Sequence, residues 1–278
     1  MYIHRVLKPG YNAYIDSDRD DLGTQMDVGI LVLEAGERYI VQENEKECAV
    51  CLLNGEVTIS WSLHGIDAAR STAGASASRS VRCSRRDMFR DEATCLLAPA
   101  AARIELTAVS PAELYLQKTF NDVPYEPVLY RPEDIQVQHA GGQGELQGCM
   151  ERQIKTFFDH DNAPFSNMVL GEVLNYPGKW SSYPPHYHPQ PEVYFYRFDR
   201  PQGFGAGFAN GEVYQVENNG LTVINHGFHS QVAAPGYAMC YLWGIRHLEE
   251  DPWLKTRIDV SEHEWLLAED ANDQIWNG

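Results

Sequence analysis

The sequence lacks several features that would assign it to common classes of protein. Nowhere in its 278 residues is there a continuous apolar run near the ~20 residues that a membrane helix requires. The first residues, MYIHRVLKPGYNAYIDSDRD, lack the apolar core of a signal peptide, so we expect a cytoplasmic protein without a membrane partner. Rossmann glycine patterns, phosphate loops and G-x-S-x-G elbows are also missing, which argues against nucleotide-dependent and serine-hydrolase chemistry.

Positive charge is scarce in this chain. It has 22 Lys and Arg residues against 39 Asp and Glu residues, a formal net charge of -17. A surface of this sign repels phosphate backbones, so we expect no nucleic-acid partner. The charge does not exclude a small acidic substrate, which would need only a local basic pocket.

Cysteine is too sparse to form a framework. The six cysteines are spread along a long chain without a secretory signal, so we expect no disulfide scaffold. Cys48 and Cys51 form a C-x-x-C, but it lies in an apolar stretch without a second cysteine pair. We interpret both as buried strand residues rather than as a redox or zinc site.

Strand patterns dominate what is present. Residues 27–41 and later segments run apolar or alternate with polar residues between turn residues, and Asn54-Gly55 between two apolar runs predicts a tight hairpin. Residues 68–80, small and polar, predict a surface loop. A Pro-rich, Gly-rich passage places a domain boundary near residue 140, giving two β-domains, 1–140 and 141–278. Ser261 and Glu264 predict a capping box and a short C-terminal helix.

One stretch concentrates metal-binding side chains. His186, His188 and Glu192 form an H-x-H-x3-E array, and residues two apart on a strand project to the same face. We predict that His229, after a strand some forty residues on, completes the set. His226 competes with it but precedes the turn glycine.

Three histidines and one glutamate make a mixed nitrogen and oxygen ligand set. Such a set suits zinc, our first choice, and also manganese, iron, nickel or cobalt. We expect a catalytic rather than a structural divalent metal ion, because structural zinc sites are usually closed and rich in cysteine.

The residues around this array resemble two cupin motifs. H-x-H-x3-E is followed by Gly203 and later by G-x-H ending at His229, although Asn225 stands where the second motif often has proline. WSSYPPHYHPQPEVYFYRFDRPQGFG and GFHSQVAAPGYAMCYLWGIR are similar to the 5-deoxy-glucuronate isomerase family of inositol catabolism. That family is related to 4-deoxy-L-threo-5-hexosulose-uronate ketol-isomerase. The resemblance implies an all-β bicupin, two jelly-roll barrels. YIVQENEKECAVCLLNG contains no histidine, so the first barrel would be structural.

The resemblance implies an aldose-ketose isomerase that converts 5-deoxy-D-glucuronate to 5-dehydro-2-deoxy-D-gluconate. The general base would be metal-bound hydroxide, Glu172 or His226. The candidates for holding the sugar acid are Tyr183, Tyr194, Arg197, Gln202 and Arg246. A homo-oligomer is compatible with the sequence. The alternatives are a pectin-uronate isomerase, an iron-dependent cupin dioxygenase and a non-enzymatic sugar-binding cupin.

Overall fold

The structure is a computed structural model that describes residues 1–19, 22–63 and 79–278. It is built almost entirely from antiparallel strands, as the sequence predicts. The predicted loop at 68–80 falls largely outside the described residues. In the part described, no helix has the length and apolar character needed to cross a membrane.

The chain divides into two compact units. The N-terminal unit comprises Val6–Ile135 and Phe157–Met168, and the C-terminal unit comprises Met1–Arg5, Gln136–Thr156 and Val169–Gly278. The units therefore exchange short segments across the expected boundary. The assignment of 1–140 and 141–278 as separate domains stays a prediction.

The N-terminal unit is organised around one long strand, β5. Its first half pairs with β7 and β9, and its second half pairs with β6 and β8. The strand β5 thereby connects the two parts of the nine-stranded sheet. Leu, Ile and Val side chains from these strands form one buried core. The described strands are β2 (Gly10–Ile15), β3 (Met26–Leu33), β4 (Arg38–Gln42), β5 (Lys46–Leu63), β6 (Arg79–Arg85), β7 (Cys95–Ala98), β8 (Ala102–Ala108), β9 (Ala112–Phe120) and β10 (Val128–Tyr130).

The hairpin predicted at Asn54-Gly55 is wrong, because both residues lie inside β5. The pairing of β5 with β9 shifts register between Leu52 and Asn54, which marks a bulge. Gly55 has a φ of 91°, and a Cβ there would lie 2.3 Å from the carbonyl oxygen of Pro111. The glycine therefore serves a bulged strand in close contact with its neighbour, rather than a chain reversal. Cys48 and Cys51, also on β5, are buried free thiols.

The C-terminal unit is a sandwich of two sheets. Seven strands run in the order β1-β18-β15-β20-β13-β12-β11, and five in the order β17-β16-β19-β14-β21. Side chains from both sheets meet in one buried core, so the sheets pack face to face. The strands are β1 (Tyr2–His4), β11 (Gln136–Ala140), β12 (Arg152–Phe158), β13 (Met168–Asn175), β14 (Trp180–Tyr187), β15 (Glu192–Phe198), β16 (Phe204–Ala209), β17 (Glu212–Glu217), β18 (Gly220–Ile224), β19 (His229–Ala233), β20 (Met239–Arg246) and β21 (Ile258–Asp259).

Helical structure is confined to short pieces. Pro132–Asp134, Glu145–Gly148 and Ser261–Leu267 are 3-10 helices, and Ala271–Gln274 is a single α-helical turn, α1. The predicted C-terminal helix is thus present mainly in 3-10 form. Its capping box is not formed, because the helix begins after Val260 without a side-chain cap and the Ser261 hydroxyl donates to Glu262 instead.

Candidate metal centre

Three strands of the C-terminal unit, β14, β15 and β19, each have one end near the same point. His186 is near the end of β14, His188 follows that strand directly, Glu192 begins β15, and His229 begins β19. His186 and His229 are direct cross-strand partners. The strand ends therefore bring together side chains that are separated by up to some forty residues in sequence.

His188, Glu192 and His229 form a tight, buried cluster. Glu192 Oε2 lies 3.3 Å from His188 Nε2 and 3.3 Å from His229 Nε2. The three residues are 9%, 3% and 2% exposed, and their ligand atoms all lie within 4.8 Å of one another. Two bonds of about 2.1 Å from a single ion would span such separations. The donor set therefore fits a divalent metal ion.

The protonation states also fit a metal ion. Burial lowers the pKa of His229 well below its ordinary value, and the neighbouring His186, His188 and Arg257 act in the same direction. Nδ1 of His188 and Nδ1 of His229 are buried without a hydrogen-bond partner in the described residues. Both rings direct Nε2 toward the shared carboxylate, and the lowered pKa of His229 favours its neutral imidazole, the form that binds metals.

His186 lies beside this cluster but outside its tightest part. Its ring centroid is 4.5 Å from that of His229, and it lines the same cavity. Its Nδ1 donates to the Pro184 carbonyl oxygen over 3.1 Å, because a carbonyl can only accept. The hydrogen bond leaves Nε2 as the lone-pair nitrogen, as in many metal-bound histidines. Its place as a fourth ligand stays a prediction.

The cluster lies at one side of a cavity of about 210 Å³. Tyr194, Tyr241, Trp243 and Trp253 supply aromatic walls. The Tyr194 ring lies 4.6 Å from that of Tyr241 and 5.9 Å from that of His229, measured between centroids. The Tyr194 and Tyr241 hydroxyls lie 3.0 and 3.4 Å from Ser182 Oγ. The structure therefore brings Tyr194 to the cavity, as the sequence predicts.

Two predicted substrate arginines lie on the other face of the seven-stranded sheet. Glu192 and Tyr194 project toward the cavity, so Arg197, an odd number of residues away, projects to the opposite side. Its guanidinium carbon lies 5.2 Å from the centroid of the Phe195 ring. Arg246 likewise alternates with Ile245, which lines the cavity, and its Nη1 donates to the His247 carbonyl oxygen. The structure does not bring either arginine to the cavity.

Glu172 is also on the far face of its strand. It alternates with Val173, which lines the cavity, and it is fully buried against Lys155, with 3.2 Å between Oε1 and Nζ. Burial of both partners, 0% and 3% exposed, makes this an internal ion pair. The placement gives Glu172 no route to a substrate in the cavity.

The remaining candidates lie outside the cavity. His226 is exposed in the turn before β19, where its backbone N–H donates to Asn210 Oδ1, and Gln202 is exposed in the turn before β16. Tyr183 packs on Trp180, with ring centroids 5.2 Å apart, and lines a neighbouring cavity of about 510 Å³.

Sequence reasoning missed the basic side of the cavity. Arg152, Lys255 and Arg257 line it together with the histidines. They come from β12 and from the segment before β21, far from the H-x-H-x3-E array, and no motif marks them. The one signal in the sequence was their charge, in a chain where cations are scarce.

Comparison with known proteins agrees with this architecture. A family model described as the KduI/IolB family matches residues 4–266. Curated relatives named 5-deoxy-glucuronate isomerase include one from Bacillus subtilis subsp. natto, 24% identical over 91% of each chain, and one from Bacillus velezensis, 24% identical over 86% of each chain.

Solved structures extend the agreement to the fold. An IolB-like protein from Salmonella typhimurium LT2 superposes with a TM-score of 0.79, at 20% identity over 96% of this chain and 99% of that chain. The oxalate decarboxylase of Lactobacillus farciminis superposes with a TM-score of 0.62, at 12% identity over 95% and 87%. The predicted two-barrel cupin fold is confirmed. Since the family model spans nearly the whole chain, this protein belongs to the KduI/IolB family.

Proposed function

We propose that this protein is a metal-dependent aldose-ketose isomerase that converts 5-deoxy-D-glucuronate to 5-dehydro-2-deoxy-D-gluconate in inositol catabolism. The observation that carries the proposal is the buried His188, Glu192 and His229 cluster at the side of the cavity. The names of the curated relatives support the same reaction. A cytoplasmic location and a homo-oligomeric state stay predictions.

The metal ion would be held by His188, Glu192 and His229, with His186 as the fourth ligand. Zinc is the first choice, and manganese, iron, nickel and cobalt suit the same donors. The ion would supply Lewis acidity, which stabilises negative charge on the sugar oxygens as a hydrogen moves between C2 and C1.

The hydroxyls of Tyr194 and Tyr241 would hold protons next to those oxygens. Burial raises the pKa of Tyr241 to about 12 and that of Tyr194 well above its ordinary value, so both stay protonated at neutral pH. Ser182 Oγ connects the two hydroxyls, which fixes where they point. Tyr241 donates its proton to Ser181 Oγ over 2.9 Å, so we propose that Tyr194 donates the hydrogen bond to a sugar oxygen, and that neither hydroxyl abstracts a proton. The placement of Glu172 and His226 gives no support to either as the base.

The decisive experiment is anaerobic incubation of metal-reconstituted protein with 5-deoxy-D-glucuronate in deuterated water, followed by NMR. We expect the ketose to form, with turnover supported by more than one divalent metal. A dioxygenase would need iron and oxygen, and a binding module would return the sugar unchanged. Absence of ketose under these conditions would refute the isomerase assignment.

A pectin-derived uronate is the second candidate substrate, because the family that the sequence resembles is related to 4-deoxy-L-threo-5-hexosulose-uronate ketol-isomerase. Competition between the two sugar acids in one reaction would rank them by kcat/KM.

A further inference from the structure

Arg152 makes no ion pair with any residue that the structure describes. It begins β12, it is half-buried, and its Nη1 donates to the Met150 carbonyl oxygen over 2.7 Å. Within the described residues no carboxylate oxygen lies within 4.0 Å of its guanidinium. Burial lowers the pKa of Arg152, and the charge of Arg257 adds to that effect. A buried guanidinium that faces a cavity in this way lacks the counter-charge that such groups ordinarily have.

Arg257 approaches the same cavity from the segment before β21. Its Nη2 donates to the Pro184 carbonyl oxygen over 2.9 Å, and its Nε donates to Asp259 Oδ1 over 2.6 Å. These two bonds fix the guanidinium at the cavity rim, where 32% of the side chain is exposed, and Nη1 makes no hydrogen bond to the described residues. The charge of Arg257 also lowers the pKa of His186 and of His229, so it acts on the metal-binding side.

The two guanidiniums share a cavity whose only described acidic lining residue is Glu192, which is occupied by the two histidines. Their mutual repulsion is therefore not compensated within the cavity. A carboxylate can accept hydrogen bonds from two guanidiniums at once, and it removes this repulsion. The cavity thus has a metal-binding side and an anion-binding side.

We propose that Arg152 and Arg257 bind the carboxylate of the substrate, select an acidic sugar over a neutral one, and direct the opposite end of the sugar toward the histidine and glutamate cluster. This inference rests on the proposed function for the identity of the sugar. The anion site itself rests on the two arginines and the cavity.

The test compares an acidic sugar with a neutral one. Metal-loaded wild type, Arg152→Gln, Arg152→Lys and Arg257→Gln are assayed with 5-deoxy-glucuronate and with 5-deoxy-glucose, which carries a CH2OH group in place of the carboxylate. Arg200→Gln is the matched control, because Arg200 is exposed and lies 3.9 Å from Asp199. Removing one charge-assisted contact lowers kcat/KM for the acid by roughly 10- to 100-fold.

The expected result is specific to the acid. Each glutamine variant loses most of its preference for the acid, because kcat/KM falls much further for the acid than for the neutral sugar, and Arg152→Lys restores part of the preference. Metal content and thermal melting show whether the site and fold persist. Two results overturn the inference. One is a glutamine variant that keeps the preference for the acid; the other is a variant whose kcat/KM falls equally for both sugars while metal content and fold are intact.

Calorimetric binding of D-glucuronate and D-glucose separates this inference from the proposed function. Arginine-dependent binding of glucuronate without any turnover by the wild type would refute the isomerase and support the anion site. Turnover by the wild type with equal binding of both sugars would support the isomerase and refute the anion site.

Discussion

Replacing Glu192 by glutamine should separate metal binding from folding. In the metal-free protein, two effects oppose each other. The substitution removes a buried charge, whose burial costs several kcal/mol. It also weakens two contacts to imidazoles at 3.3 Å, each worth about 1.5 kcal/mol or more when the acceptor is charged. We expect the free energy of unfolding of metal-free Glu192→Gln to lie within about 1 kcal/mol of the wild-type value.

Addition of a metal ion should separate the wild type from Glu192→Gln in their free energy of unfolding. Loss of a direct ligand should weaken binding by more than the 10- to 100-fold that loss of an outer-shell partner costs. At a metal concentration of 100 times Kd the wild type gains about 2.7 kcal/mol of stability, and the variant should gain little of it. Urea unfolding with and without zinc measures both quantities, and Glu250→Gln, at an exposed position, is the control.

Two results would contradict this reasoning. If Glu192→Gln keeps the full metal-dependent stabilisation, the carboxylate is not a ligand. If the metal-free variant loses more than about 3 kcal/mol, the cluster is a hydrogen-bonded structural network in its own right.

Three further predictions concern pH and packing. Burial, and after it the charge of Arg257, lowers the pKa of His186 to about 4. Between about pH 6.5 and pH 4, His186 is therefore protonated in the unfolded chain and neutral in the folded chain. Metal-free protein should keep this stability above pH 6.5 and lose ~3 kcal/mol as the pH falls to about 4. Urea titrations should show a flatter profile for His186→Asn, and an unchanged one would contradict the assignment. Glu172→Gln should cost about 3 kcal/mol by removing the charged partner of the buried Lys155 ammonium, with kcat of the folded protein retained, and the double variant with Lys155→Met should recover part of the loss. A tenfold fall in kcat without loss of stability would instead make Glu172 the base. Gly171→Ala should destabilise the fold and weaken substrate binding, because its Cβ would lie 2.7 Å from the Trp243 ring at the cavity; melting temperature and KM equal to those of the wild type would contradict this.

That His186, His188 and Glu192 come together was predictable because their signal is local. His186, His188 and Glu192 lie within seven consecutive positions, and strand alternation correctly placed Tyr194 on the same face as Glu192. The same alternation would have placed Arg197 on the opposite face, because it is an odd number of residues from Glu192. Proximity in sequence to the histidines was a poor guide to proximity in the fold.

The arginines of the cavity and the conformation of Asn54-Gly55 were not predictable, because both depend on tertiary structure. Arg152 approaches the cavity from β12 and Arg257 from the segment before β21, about a hundred residues later, and no local pattern connects them. Asn54-Gly55 has the local preference of a hairpin, but the pairing of β5 with β6, β8 and β9 determines its conformation. Local propensity gives way where several neighbouring strands pair with one segment.

The pairing of β1 with β18 has a consequence for how the chain folds during synthesis. Tyr2 lies opposite Thr222, and the Val223 N–H donates to the Met1 carbonyl oxygen. The seven-stranded sheet therefore needs segments from nearly opposite ends of the sequence, whereas the N-terminal unit has all its segments once Met168 has been made. Folding from the ribosome should complete the N-terminal unit first, at a stage when β1 is already made but still lacks its partner β18.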